Sequence, residues 1–72
     1  MKRSKGFLAR RLSRGLARFR GTESQNRFSR RLGVSNATLN RIENQVQNVS
    51  LITLEQLCRA LRCDIQDLFP PD

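Results

Sequence analysis

The segment from residue 25 to residue 44 constrains the fold more than any other part of this 72-residue chain. It reads QNRFSRRLGVSNATLNRIEN and holds two short stretches in which apolar residues recur at helical spacing. Gly33, between them, tolerates the positive φ of a tight turn, and Ser29 is small enough for a second helix to cross closely over it. The angle between the helices can be fixed by Phe28, Leu32, Val34, Leu39 and Ile42. The segment therefore predicts a helix-turn-helix.

The two helices of this segment have recognisable start signals. Residues 25–32 form the first, for which Ser24 is a suitable N-cap, although Thr22 and Gln25 offer a competing capping box. The second follows Ser35 and covers residues 36–44.

One further helix is predicted before this segment and two after it. The helix over residues 7–19 has one apolar face, formed by Leu8, Leu12, Leu16 and Phe19. Within it, Gly15 weakens the helix by about 1 kcal/mol relative to alanine. The helix that Ser50 caps has the clearest apolar face, at Leu51, Leu54, Leu57, Cys58 and Leu61. Asp64 caps a last short helix over residues 65–69, which two prolines end.

No segment alternates apolar and polar residues as a strand does, so the fold class is all-α. We predict a compact five-helix bundle over residues 7–69. A flexible basic arm at residues 1–6 precedes it, and a tail at residues 70–72 follows it.

The charge of the chain is large and unevenly distributed. Fourteen Lys and Arg residues face six Asp and Glu residues, which gives a net charge of +8. Residues 1–44 carry twelve basic and two acidic residues, whereas residues 45–72 carry a small acidic excess. Solubility would explain a surplus of charge but not its segregation. The pattern favours a polyanionic partner that contacts the first part of the chain.

Several classes of protein are disfavoured by the composition. The longest apolar stretches have two or three residues, against the ~20 that a bilayer span needs, so we expect no membrane partner, no secretory signal and a cytoplasmic location. Without histidine or a glycine-rich phosphate loop, we expect neither an enzyme nor a cofactor. Cys58 and Cys63 are five apart and would point in different directions on a helix. We expect no metal site and two reduced thiols that act as small core residues.

From about Leu16 to Phe69 the sequence resembles the lambda-repressor and Cro-like (XRE) family of helix-turn-helix regulators. The resemblance lies in the Ser-Gln start of the second helix, Leu-Gly-Val-Ser at the turn, Thr-Leu-Asn-Arg-Ile-Glu along the third helix and the leucine pattern of the fourth. It implies a five-helix bundle whose third helix reads the major groove of double-stranded DNA. It also implies a transcriptional regulator, with repression the expected effect, that acts as a homodimer through residues 65–69.

Three departures from the family pattern fall in loops. Gln45 and Arg62 stand where the family usually has glycine, and Val49 stands where it usually has proline. The link between the first two helices is also short. These departures concern loop geometry more than the fold.

The third predicted helix carries the residues expected to read bases. Recognition helices contact bases near their N-terminus, where Asn suits adenine, Arg suits guanine, and Ala or Thr suits the methyl group of thymine. On the side away from Leu39 and Ile42 lie Asn36, Ala37, Thr38, Asn40 and Arg41. We predict that this set reads bases, with Asn40 at its border and phosphate contact as the alternative for Arg41.

Other polar residues are expected to contact phosphates or stabilise the bundle. By the resemblance, Gln25 binds a phosphate, assisted by backbone N–H groups at the same helix start, and capping is its alternative role. Further phosphate candidates are Ser35, Asn44, Asn48 and Arg27. The resemblance also implies that Glu43 pairs with an arginine of the first helix, either Arg18 or Arg20.

Two other functions fit the same residues. An antitoxin-type module that binds a toxin partner and its own promoter would share this fold. A non-specific nucleic-acid-binding or RNA-binding protein would fit the arginine-rich first helix, although stacking on single-stranded bases needs aromatic side chains and this chain has only four phenylalanines.

Overall fold

The computed structural model describes residues 6–45 and 49–71 as a bundle of α-helices. In chain order they are α1 (Phe7–Arg20), α2 (Gln25–Leu32), α3 (Asn36–Glu43), α4 (Leu51–Leu61) and α5 (Ile65–Leu68). No strand occurs within these two ranges, so the predicted all-α class and the order of its five helices are confirmed. Most of the predicted N-terminal arm and Asn48 lie outside the described residues.

The helix ends follow the capping residues closely. Ser24 accepts a hydrogen bond from the backbone N–H of Arg27, so the cap of α2 is this serine rather than Thr22. Ser35 and Ser50 cap α3 and α4 in the same way. The helices α3 and α5 each end one residue earlier than predicted because Asn44 and Phe69 occupy C-cap positions.

The described part of the chain has one core to which every helix contributes. Its buried apolar side chains are Leu12, Leu16, Phe28, Leu32, Leu39, Ile42, Leu57 and Leu68. Two residues of the predicted apolar faces are exceptions, since Leu8 is 52% exposed and Leu51 is 82% exposed. Both lie in the first turn of their helix, and their exposure shows that none of the five described helices covers these two turns.

Gly15 lets α1 pack directly against the backbone of α5. A Cβ atom at this position would lie 2.1 Å from the carbonyl oxygen of Leu68. Arg11, one turn earlier, donates hydrogen bonds to the carbonyl oxygens of Phe69 at 2.8 Å and Pro70 at 2.9 Å. The sequence indicated only that Gly15 weakens the helix, whereas the structure gives this glycine a packing role.

Two of the positions where glycine is usual in the resembling family have left-handed backbone in this chain. Gln45 has φ 60°, and Arg62 has φ 54° and ψ 49° at the end of α4. A side chain makes this conformation unfavourable by roughly 1–2 kcal/mol. The departures at these residues therefore place strain at the ends of α3 and α4.

The turn at Arg62 also corrects the expectation for the two cysteines. Because α4 ends at Leu61, Cys63 lies beyond the helix and the spacing of a continuous helix does not apply to it. The backbone N–H of Cys63 donates to the carbonyl oxygen of Cys58 at 3.0 Å. The two residues are therefore neighbours, and both are free thiols at the edge of the core.

We expect Gly15→Ala to destabilise the domain although alanine is the better helix former. Helix propensity alone would raise the free energy of unfolding by about 1 kcal/mol. The clash with the Leu68 carbonyl, which is backbone and cannot rotate away, should outweigh this gain, because overpacking costs about 1–3 kcal/mol. Thermal melting measures the sum, and Ala17→Gly at an exposed position of α1 reports propensity alone. A higher melting temperature for Gly15→Ala would contradict the packing role.

Arg62→Gly should stabilise the domain, because glycine adopts the left-handed conformation without strain. After allowance for the greater freedom of glycine in the unfolded chain, we expect a gain of up to about 1 kcal/mol, or roughly 4–8 °C in melting temperature. The matched control is Arg59→Gly, three residues earlier in the helical part of α4, which should lower stability by about 1 kcal/mol. Equal destabilisation by both variants would show that the turn at Arg62 is not strained.

Candidate nucleic-acid interface

Polar side chains join α2 to the first turn of α3 where the two helices cross. Ser29 is only 3% exposed, and its hydroxyl donates to Oδ1 of Asn36 at 2.8 Å. Nδ2 of Asn36 donates in turn to Oδ1 of Asn26. The small side chain that the crossing requires thus also fixes the amide of the first residue of α3.

A second set of contacts joins the other end of α3 to α1 and α2. The carboxylate of Glu43 accepts from Nη1 of Arg20 at 2.8 Å and from Nε2 of Gln25 at 3.1 Å. Its backbone carbonyl accepts from the hydroxyl of Ser13 at 2.9 Å. The side chain of Glu43 is 18% exposed and that of Arg20 is 29% exposed, so the ion pair is partly shielded from water.

The partner of Glu43 is therefore Arg20, one of the two candidates that the sequence left open. Arg20 also donates from Nε to the carbonyl oxygen of Glu23 at 2.8 Å, which ties the short link between α1 and α2 to the same cluster. Arg18 is exposed and lies beside Phe19 and Leu61, at a different cavity.

The turn between α2 and α3 is held by α4. Gly33 has φ 78°, the left-handed conformation that the sequence predicted for it. Nε2 of Gln56 donates to the carbonyl oxygens of Leu32 at 3.2 Å and Gly33 at 2.6 Å. A Cβ atom on Gly33 would lie 2.7 Å from that same amide nitrogen. The turn thus gains two hydrogen bonds from a helix outside the motif.

The residues predicted to read bases lie on the surface of α3. Asn36, Ala37, Asn40 and Arg41 are exposed, and Thr38 is half-buried. The hydroxyl of Ser35 donates to Oγ1 of Thr38 at 3.0 Å, and Oδ1 of Asn40 accepts from Asn44 at 2.9 Å. Arg41 makes no hydrogen bond or ion pair with any residue in the described ranges, so its guanidinium is available to a ligand.

The residues predicted to contact phosphates differ in their exposure and in the hydrogen bonds that they already make within the domain. Gln25 is half-buried. One of its amide hydrogens is used by Glu43, and the other has no partner in the described ranges. Nδ2 of Asn44 is shared between the carbonyl and side-chain oxygens of Asn40. Ser35 and Arg27 are exposed. Arg31, by contrast, pairs with the carboxylate of Glu23 at 2.9 Å.

Several side chains in these contacts were not predicted as site residues, among them Asn26 and Gln56. Asn26 contacts a residue ten positions later, and Gln56 contacts a turn more than twenty positions earlier. Neither spacing is a helical repeat. For Asn26, the only sequence signal for such a contact was a polar residue near an exposed helix start. For Gln56 the sequence carried no signal, because its contact depends on how α4 packs against α2.

Two absences concern only the part of the chain that the structure describes. There, no three His, Cys, Asp or Glu side chains gather in a way that could hold a metal ion. None of the described helices combines the length and the apolar character needed to cross a membrane.

A double-mutant cycle tests the contact between α1 and α3. We expect Arg20→Ala and Glu43→Ala to show a coupling energy of about 0.5–1 kcal/mol in the free energy of unfolding, since the pair is partly shielded from solvent. Arg18→Ala combined with Glu43→Ala is the matched control and should show none. Coupling to Arg18 that equals or exceeds the coupling to Arg20 would contradict the pairing.

Comparison with known proteins identifies the family of this arrangement. A scan against protein-family models matched residues 11–71 to the Cro/C1-type HTH DNA-binding domain. A search of curated proteins and a search of solved structures each found no match. The matched range covers most of the chain and includes all of α2, α3, α4 and α5, and the family resemblance suggested by the sequence is thereby confirmed. The chain belongs to the Cro/C1-type helix-turn-helix DNA-binding domain family.

Proposed function

We propose that this domain binds double-stranded DNA sequence-specifically, by placing α3 in the major groove, and that it represses transcription. The observation that carries the proposal is the state of α3. Its ends are hydrogen-bonded to α1 and α2, while the side chains of Ala37 and Arg41 stay exposed. A rigid helix with an exposed polar face is the element that major-groove readers present to base edges.

The contacts of Asn36 suit it to read adenine. An amide group has two donor hydrogens and an acceptor oxygen with two lone pairs. Ser29 uses one lone pair and Asn26 uses one hydrogen, which leaves one donor and one acceptor without a partner in the described ranges. Adenine presents the complementary pair in the major groove, N7 as acceptor and the N6 amino group as donor. The internal bonds also fix the orientation of the amide before DNA arrives.

The other exposed residues of α3 complete the reading surface. The guanidinium of Arg41, which has no partner in the described ranges, is of the kind that binds O6 and N7 of guanine. Ala37 and the methyl group of Thr38 suit the methyl group of thymine. Asn40 is at the border of this surface because its side-chain oxygen is already bonded to Asn44.

Phosphate contacts would orient α3 in the groove. Gln25 has a donor left after its bond to Glu43, and it lies at the start of α2, where backbone N–H groups also point outward. We assign further phosphate contacts to Ser35, Asn44, Asn48 and Arg27. Residues 1–44, which include α1, α2 and α3, carry the basic excess. This supports these three helices as the part of the molecule that faces DNA.

A homodimer on two half-sites about one helical turn apart is the expected assembly on DNA. The short helix α5 supports it, because Ile65 is 44% exposed although it is apolar. A two-fold axis at this helix would bury that side chain in both copies.

An antitoxin-type module that also binds a protein partner is the second candidate. The first turn of α4 favours it, because Leu51 is 82% and Ile52 is 76% exposed. Adjacent exposed aliphatic side chains are typical of surfaces that a partner covers. Co-purification of a toxin from the native host, abolished by Leu51→Asp with DNA affinity unchanged, would support this function.

Arg41→Ala should weaken the preferred DNA site more than random DNA. A bidentate arginine–guanine contact is worth about 1–3 kcal/mol of discrimination, so we expect roughly a tenfold loss on a site obtained by in vitro selection and a much smaller loss on a shuffled duplex. Fluorescence anisotropy with labelled duplexes measures both. The matched control is Arg59→Ala on α4, which removes the same charge away from α3 and should leave the ratio of the two affinities unchanged.

Two results would contradict the proposal. Equal affinity of the wild-type domain for all duplexes would indicate non-specific binding through charge alone. Tighter binding to single-stranded RNA than to duplex DNA would indicate an RNA-binding protein.

A further inference from the structure

Two cysteines meet at the end of α4, away from the surface of α3 that is proposed to meet DNA. Arg62 turns the chain back with left-handed backbone, and its N–H donates to the carbonyl oxygen of Arg59 at 3.3 Å. The N–H of Cys63 donates to the carbonyl oxygen of Cys58 at 3.0 Å. This pair of bonds closes the helix by a Schellman motif, in which the side chains of the two outer residues commonly make contact.

The thiols of this pair interact with each other and are only partly shielded from solvent. Burial, the neighbouring Cys58 and the carboxylates of Asp67 and Asp64 raise the pKa of Cys63 to about 11. Both cysteines line one groove of about 430 Å³ beside Leu54 and Ile65. In the monomer, a small reagent can therefore approach the pair from outside the core.

We propose that Cys58 and Cys63 form a reversible disulfide when the domain meets a low-molecular-weight disulfide of the glutathione type. A disulfide needs Cα atoms about 4.4–6.8 Å apart, and a direct backbone hydrogen bond between the two residues holds their backbones at close range. The sequence spacing hid this juxtaposition, because five residues within a continuous helix would separate the two side chains.

The oxidation takes two thiol–disulfide exchanges. In the first, the Cys58 thiolate attacks one sulfur of the small disulfide and releases the other half as a thiolate, which leaves a mixed disulfide on Cys58. In the second, the Cys63 thiolate attacks the Cys58 sulfur and releases the remaining half. The protein loses two protons and two electrons, and the small disulfide gains them as two thiols. Cys63 takes the second step because little of it is thiolate at neutral pH.

The disulfide would span Arg62 and fix the turn that joins α4 to α5. It would fix the left-handed conformation of Arg62 and lower the conformational entropy of the unfolded chain. Oxidation would then stabilise the C-terminal part of the bundle. The inference does not rest on DNA binding, so failure of either proposal leaves the other intact.

The test follows the reduced 72-residue chain after addition of excess oxidised glutathione, by intact mass under non-reducing conditions. We expect a transient glutathione adduct, then a monomer that has lost two hydrogen atoms and that a reductant restores. Cys58→Ser and Cys63→Ser are the matched controls, and each should keep a glutathione adduct that does not close. A wild-type chain that stops at stable adducts, or that forms intermolecular dimers, would overturn the proposal.

Two further measurements show whether Cys58 and Cys63 are already placed for a disulfide or whether the bond distorts the turn. The closure step should accelerate as the pH rises from neutral to about 9, because burial and the carboxylates of Asp67 and Asp64 still raise the pKa of Cys63 when Cys58 carries the adduct. The ionisable groups around the pair are Glu55, Arg62, Asp64, Asp67 and Arg18. The closed form should also melt about 5 °C or more above the reduced form. A closed form that melts no higher would mean that the bond distorts the turn, and it would refute the prearrangement.

Discussion

The carboxylate of Glu43 is the contact on which the arrangement of the first three helices depends. It accepts one hydrogen bond from Arg20 on α1 and one from Gln25 on α2. A partly buried carboxylate that lost either donor would have an oxygen without a hydrogen-bond partner. The desolvation penalty of such an oxygen exceeds the net contribution of one hydrogen bond to the free energy of unfolding. The one acidic side chain of α3 therefore adds a polar contact to the apolar packing of Leu39 and Ile42, within a strongly basic part of the chain.

The other end of α3 is fixed by uncharged groups. Ser29 and Asn26 hold the amide of Asn36, and the left-handed turn at Gly33 sets where the helix begins. With both ends held, the exposed side chains between them are presented from a rigid backbone. A partner then has less conformational entropy to remove on binding, which favours affinity.

The helices could be predicted from the sequence because their signals are local: apolar spacing, serine caps and one glycine. The pairings could not, because they depend on how helices rotate against each other. Arg18 and Arg20 lie on nearly opposite sides of α1, and only the crossing of α1 with α3 decides which one meets Glu43. The spacing argument for the cysteines was wrong for a related reason, since α4 ends between them at a non-glycine residue in left-handed backbone.

The most direct test of the central claim, that a rigid α3 is the surface that meets DNA, is an NMR titration of the ¹⁵N-labelled domain with a duplex carrying its selected site. The account predicts that amide shifts concentrate at residues 35–44 and at the start of α2, and that the helical hydrogen-exchange protection of α3 persists in the complex. Shifts confined to α4 and α5, or loss of protection in α3 on binding, would contradict it.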